Sequence, residues 1–91
     1  MAAPRITGGW VFEAFVGDVL TLTLTGENLA GIQSGSISPM GKGMVVSILE
    51  TSPTQVCLTI TIDKKTYPGD KRVILHSPEG DSQPLPLLVM M

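Results

Sequence analysis

Three leucines and three threonines in strict alternation, Leu20-Thr21-Leu22-Thr23-Leu24-Thr25, limit what this chain can become. Side chains of an extended strand leave alternate faces with a period of two, whereas a helix repeats about every 3.6 residues. The run therefore predicts a strand with a leucine face and a threonine face. Gly17-Asp18 opens it and Gly26-Glu27-Asn28 closes it, both with turn chemistry. It is expected to be the central strand of an all-β core.

A second alternation runs from Gln55 to Ile62. Val56, Leu58, Ile60 and Ile62 are expected to face in, and Cys57, Thr59 and Thr61 out. Shorter runs surround these two. Ala3 to Thr7 reads as an edge strand, because Pro4 has no N–H to give to a ladder, and Gly8-Gly9 follows as a hinge. Trp10 to Val16 is apolar on both faces, with Trp10, Phe12, Ala14 and Val16 on one and Val11, Glu13 and Phe15 on the other. It reads as a strand buried on both sides, or a plug at one end of a sandwich, or a contact element, since aromatics are common interface anchors. Ala30 to Gly35 is turn-like. Ser36-Ile37-Ser38 is a short strand stopped by Pro39, and Met40-Gly41-Lys42-Gly43 a flexible loop. Met44 to Leu49 is a strand and Glu50 to Thr54 a turn. Asp63 to Asp70 is a polar crossover ending at Pro68-Gly69. Lys71 to Ser77 is a strand with Val73 and Leu75 inward. Pro78 to Ser82 is a hairpin turn, and Leu85 to Met91 a last strand whose Pro84 and Pro86 keep its start at an edge.

Seven or eight short strands, spaced by about 8–12 residues with no helical period, predict a β-sandwich of mainly antiparallel strands with Greek-key connections. The 91 residues are read as one domain, with residues 1–9 an N-terminal arm and short edge strand and residues 10–91 the sandwich.

Hydrophobic residues make up 43% of the chain and charged residues 15%, against about 25% charged in an ordinary domain. A surface so poor in charge fits either one that is partly covered by a partner or a small β domain that is charge-poor in its own right. The net charge of −2 has no run of either sign. Lys64-Lys65 and Lys71-Arg72 are the only basic pairs, too little for nucleic acid, which is bound by releasing counterions to a basic patch. Cys57 is the single cysteine, so no intrachain disulfide forms. That fits cytosolic synthesis, or a β fold that needs no bridge. Met1 to Ile6 has no long apolar core of a signal peptide, and no run approaches the roughly 20 apolar residues of a membrane span. The chain reads as a complete small reading frame or as an excised module with an added start Met.

Residues that carry chemistry elsewhere are isolated in this sequence. His76, the only histidine, is expected on an outward face with Ile74 and Arg72. No nucleophile or orienting partner is visible beside it. Cys57 lies among outward threonines with nothing electropositive nearby to favour a thiolate. Gly41-Lys42-Gly43 lacks the spacing and the following helix of a phosphate cradle. Asp63, Asp70, Glu79 and Asp81 sit at turns. They could gather around Ca²⁺, but turn aspartates are explained more simply by bonds to their own backbone. No catalytic, cofactor or metal site is expected. The threonines are different. If the two alternating strands are neighbours in one sheet, Thr21, Thr23, Thr25, Thr59 and Thr61 form a flat, uncharged, weakly polar patch. That is either an ordinary wet face of good β-formers or a docking surface with no charge to resist association.

The order of these signals resembles the immunoglobulin-like IPT/TIG domains. The resemblance rests on Pro4 and Ile6, then Gly17-Asp18, then the Leu/Thr alternation into Gly26-Glu27-Asn28-Leu29. It continues in Ser52-Pro53-Thr54-Gln55-Val56 as the entry to a long strand. It ends in Gly69-Asp70-Lys71-Arg72-Val73-Ile74-Leu75, followed by Glu79-Gly80-Asp81-Ser82 as a hairpin. It covers about residues 4 to 90. It implies a non-enzymatic immunoglobulin-like module of the kind found in bacterial surface and carbohydrate-associated proteins, in receptors, in some transcription factors and, more widely, on phage virions. The basic loops of the DNA-contacting members are absent from this sequence, and it has few aromatic residues for a sugar platform.

Two roles are expected to compete. One is a structural accessory that docks on a large assembly such as a phage capsid or tail, or associates with itself. The other is a binding or spacer module of a larger bacterial surface protein. The first would place the chain on a virion surface, the second outside a cell. The expected interface residues are Trp10, Phe12, Phe15, Thr21, Thr23, Thr25, Thr59 and Thr61.

Overall fold

A computed structural model describes residues 3–38 and 43–91. The stop at Pro39, most of the loop read at Met40-Gly41-Lys42-Gly43, and the first two residues of the arm lie outside the described residues. The chain is all-β, with nine strands and no helix among the described residues: β1 (Arg5–Gly8), β2 (Glu13–Phe15), β3 (Val19–Glu27), β4 (Ser34–Ser38), β5 (Met44–Thr51), β6 (Gln55–Ile62), β7 (Gly69–Ser77), β8 (Gly80–Asp81) and β9 (Leu85–Met90). They form two sheets. The first has the order β1-β3-β6-β5. The second has the order β2-β9-β7-β4, with β8 paired to β7. Every pairing is antiparallel except β2 with β9.

The two alternating runs lie side by side in the interior of the first sheet. β3 and β6 pair from Val19↔Thr61 to Thr25↔Gln55 without a register shift. A one-residue slip would turn every leucine to the wet face, so the alternation itself fixes this register. Leu24, Val56, Leu58 and Ile60 are completely buried, each contributing about 1.5–3 kcal/mol of burial. They share one core cluster with Val73, Leu75, Leu85, Leu87 and Val89 of the second sheet. Val73 and Leu75 point inward as expected, and Lys71 follows the same parity and is buried too.

The closing Gly26-Glu27-Asn28-Leu29 has a physical reason at each end. Strand β1 passes so close to Gly26 that a Cβ there would overlap the Arg5 carbonyl. Asn28 holds φ at 59°, a left-handed conformation that asparagine tolerates better than most residues. The bend it makes drops Leu29 into the core, fully buried, with its N–H donating to the Pro53 carbonyl at 3.2 Å.

Several boundaries differ from the sequence reading. β1 begins at Arg5 rather than Ala3. β4 begins two residues early, at Ser34. β5 runs on through Glu50 and Thr51, read as turn, by means of a register shift between Ile48 and Glu50. Gly80-Asp81, read as turn, is a two-residue strand. Gly69-Asp70 opens β7 instead of closing the crossover.

The largest correction concerns residues 10 to 16. Only Glu13–Phe15 is strand, and only Ala14 of the segment is fully buried. Phe12 is 64% exposed and Phe15 52%, so the segment is not buried on both sides, although Trp10, Val11 and Val16 pack half-buried against the core. The cause is β9: a three-residue parallel pairing with Leu88, Val89 and Met90 seats Ala14 inward. The neighbouring residues are left at a sheet edge.

Candidate functional site

The side chains that leave the first sheet away from the core lie in register across three strands. Val19, Thr61 and Val45 make one row, Thr21, Thr59 and Ser47 the next, and Thr23, Cys57 and Glu50 a third. Thr25 stands beside Gln55 at the far end. The expected adjacency of Thr21, Thr23 and Thr25 with Thr59 and Thr61 is therefore present. Thr21, Thr23, Thr25 and Thr61 are exposed, while Thr59 and Cys57 on the inner strand are half-buried between their neighbours. Val19 and Val45 are exposed at one end of the patch, at 63% and 57%. Across these three rows Glu50 is the only charged side chain.

A hollow lies at the Glu50 end of the patch, next to the register shift between Ile48 and Glu50. Its lining includes Thr23, Glu50, Ser52, Gln55 and Cys57. Cys57 carries a free thiol there.

The aromatic residues do not join this patch. β2 belongs to the other sheet, and Gly9, with φ at 84°, carries the chain from one sheet to the other. Trp10 is half-buried, and its Nε1–H donates to the Pro86 carbonyl at 2.6 Å. It ties the segment to β9 rather than standing free. Phe12 and Phe15 remain as exposed apolar residues on the β2 edge. The eight expected interface residues thus fall into two separate places, five on the first sheet and three along the β2 edge.

The outer face of the second sheet carries different chemistry. Ser34, Ser36 and Ser38 of β4 stand opposite His76, Ile74 and Arg72 of β7. His76 shares its side with Arg72 and Ile74, as the strand parity predicts. Yet it is not isolated. Its Nε2 lies 2.8 Å from Ser36 Oγ, and its Nδ1 lies 2.7 Å from Asp81 Oδ1. Sequence reasoning found no partner for this histidine, and the structure corrects that. One half of the constellation was available in the sequence. A two-residue turn at Pro78-Glu79 makes Ser77 face Gly80 and His76 face Asp81. The other half was not, because Ser36 arrives on a strand whose pairing with β7 is long-range.

Asp63, a candidate for Ca²⁺, accepts the Lys65 N–H at 2.8 Å and closes its own turn. Among the described residues no three His, Cys, Asp or Glu side chains converge to hold a metal ion. No helix among them is long and apolar enough to cross a membrane.

A scan against protein-family models finds no match, and no curated protein matches the chain in sequence.

Proposed function

We propose that the chain is a structural and interaction module, an immunoglobulin-like β-sandwich with Greek-key connections and an IPT/TIG-like strand pattern. On this reading it docks through the charge-poor outer face of β3, β6 and β5. One observation carries the reading: three rows of valine, threonine, serine and cysteine in register across β3, β6 and β5, with one charged side chain among them. A sheet face kept monomeric by selection normally carries lysine or glutamate, which repel a second flat surface. Two of the three rows across β3, β6 and β5 carry neither, and the third carries only Glu50. The threonine methyls and hydroxyls can pack against, and hydrogen-bond to, another neutral sheet without burying a charge.

The partner is a flat, neutral protein surface, as on a large assembly such as a phage capsid or tail. In a solution of the pure chain, the surface available is a second copy. A binding or spacer module of a longer bacterial surface protein is the alternative, and it draws on the same family resemblance. Phe12 and Phe15 would then be a separate, smaller contact.

Light scattering over a concentration series tests the docking face. The wild-type chain is expected to gain mass on concentration, and Thr23→Lys with Thr59→Lys to hold it as a monomer. A wild-type chain that stays monomeric at millimolar concentration would count against the reading. So would association that survives both lysines.

A further inference from the structure

The constellation on the second sheet has the connectivity of a nucleophile, a base and an orienting carboxylate. A carboxylate accepts hydrogen bonds and cannot donate them, so the hydrogen between His76 and Asp81 sits on Nδ1. In the neutral ring Nε2 is then a bare lone pair, and the Ser36 hydroxyl 2.8 Å away donates to it. That is the tautomer a general base needs.

Each member is held by backbone pairing rather than by a mobile loop. Ser36 lies opposite Ile74, and the His76 side chain, two residues further along β7, reaches it diagonally across the ladder. Asp81 is placed by its direct pairing with His76. The short strand that carries it is pinned on both sides. Ser77 Oγ donates to the Gly80 carbonyl at 2.9 Å, and Ser82 Oγ accepts the Leu75 N–H at 3.0 Å.

We propose that Ser36 is a nucleophile activated by His76, with Asp81 positioning the imidazole, and that this face hydrolyses small activated esters through an acyl-Ser36 intermediate. The substrate class follows from exposure. The His76 side chain is 36% exposed and that of Asp81 60%. The open position suits a small acyl group whose leaving group departs readily. In the first step Ser36 Oγ attacks the carbonyl carbon and Nε2 takes the hydroxyl proton. The carbon–oxygen bond to the leaving group breaks, and the proton passes to that group. In the second step water attacks the acyl carbon, again giving its proton to Nε2. The Oγ–acyl bond breaks, the proton returns to Ser36, and a carboxylic acid leaves. The site lies on the opposite sheet from the docking face and stands apart from that proposal.

The test uses p-nitrophenyl acetate, with release of nitrophenol followed by absorbance and the acetylated protein by mass. Acetyl is expected on Ser36, and hydroxylamine is expected to remove it, as it does from an ester and not from an acetylated lysine. Ser36→Ala and His76→Ala are each expected to lower the initial rate at least tenfold, in line with the roughly 10²–10⁴-fold contributed by a placed general base. Asp81→Asn is expected to lower it severalfold. In the same variant the nitrogen-15 spectrum of His76 is expected to lose the single Nδ1–H tautomer, a change that loss of packing alone would not give. Ser34→Ala, on the same strand, serves as the control and is expected to keep the wild-type rate. Acetyl confined to lysines, Ser36→Ala turning over at the wild-type rate, or equal losses in Ser34→Ala and Ser36→Ala would overturn the proposal. Trp10 fluorescence confirms that each variant is folded.

Discussion

Across β3, β6 and β5 of the first sheet, three rows turned away from the core hold threonine, serine, valine and cysteine with one glutamate, and the paired Arg5 and Glu27 stand beyond them at the β1 end. On the β2-β9-β7-β4 sheet, the outward residues of β4 and β7 are serine, aspartate, arginine, isoleucine and histidine, with Asp81 bonded to the histidine from β8. Both faces are the reverse side of strands whose inward residues belong to one core cluster. Folding asks the same of the two sheets, an apolar residue at every second position, and it leaves the intervening positions open. The difference between the outer faces therefore says more about use than the core does. One face is poor in charge across β3, β6 and β5, which suits contact with another surface. The other holds polar groups within hydrogen-bond distance of one another, which suits chemistry on a small molecule.

Removing the support common to both faces should produce the largest effect. Leu58 is fully buried on β6, and Leu58→Ala is expected to cost about 2–5 kcal/mol, read by denaturant unfolding. Association and ester hydrolysis should then fall together, in proportion to the unfolded fraction. If one persists undiminished while the other vanishes, the faces do not share a core in the way described.

A smaller effect is expected from the link between the sheets. Trp10→Phe keeps an aromatic ring but removes the Nε1–H bond to Pro86 and part of the indole packed against the core. It should lower stability by about 1 kcal/mol, with little change on the threonine face.

The smallest stability change is expected on the faces themselves. Thr23→Lys and Ser34→Ala should each lie within about 0.5 kcal/mol of wild type by thermal unfolding. The first is expected to abolish association all the same. A Thr23→Lys chain that unfolds several degrees early would mean that the threonines are structural and the face has no separate purpose.

How much of this was legible in the sequence depended on whether a feature was local. The Leu20–Thr25 and Val56–Ile62 alternations specify their own inward and outward sides, so β3, β6 and their outward threonines are legible in the sequence, whereas the adjacency that joins them into one patch is a long-range pairing. Asn28 and Gly26 marked a real turn and a real close approach. For residues 10 to 16 the aromatic content is compatible with burial on both sides, an end plug or a contact element, and the pairing with the last strand, far along the chain, is what excludes burial on both sides. The Ser36–His76–Asp81 arrangement was invisible as a whole for the same reason. Its His76–Asp81 half follows from a tight hairpin, but Ser36 stands 40 positions from His76 in sequence. A long-range pairing of two strands leaves no periodic trace in either.

On the reading proposed above, the threonine face of the first sheet, and not the polar face of the second, is the surface that meets a partner. Methyl spectra recorded with a soluble paramagnetic probe at low and high protein concentration separate the two. On concentration, the methyl groups of Thr21, Thr23, Thr59 and Val19 are predicted to become shielded from the probe. Those of Ile74 and Leu88, on the second sheet, should stay accessible. Shielding of Ile74 and Leu88 with the threonine methyls still exposed would contradict the claim.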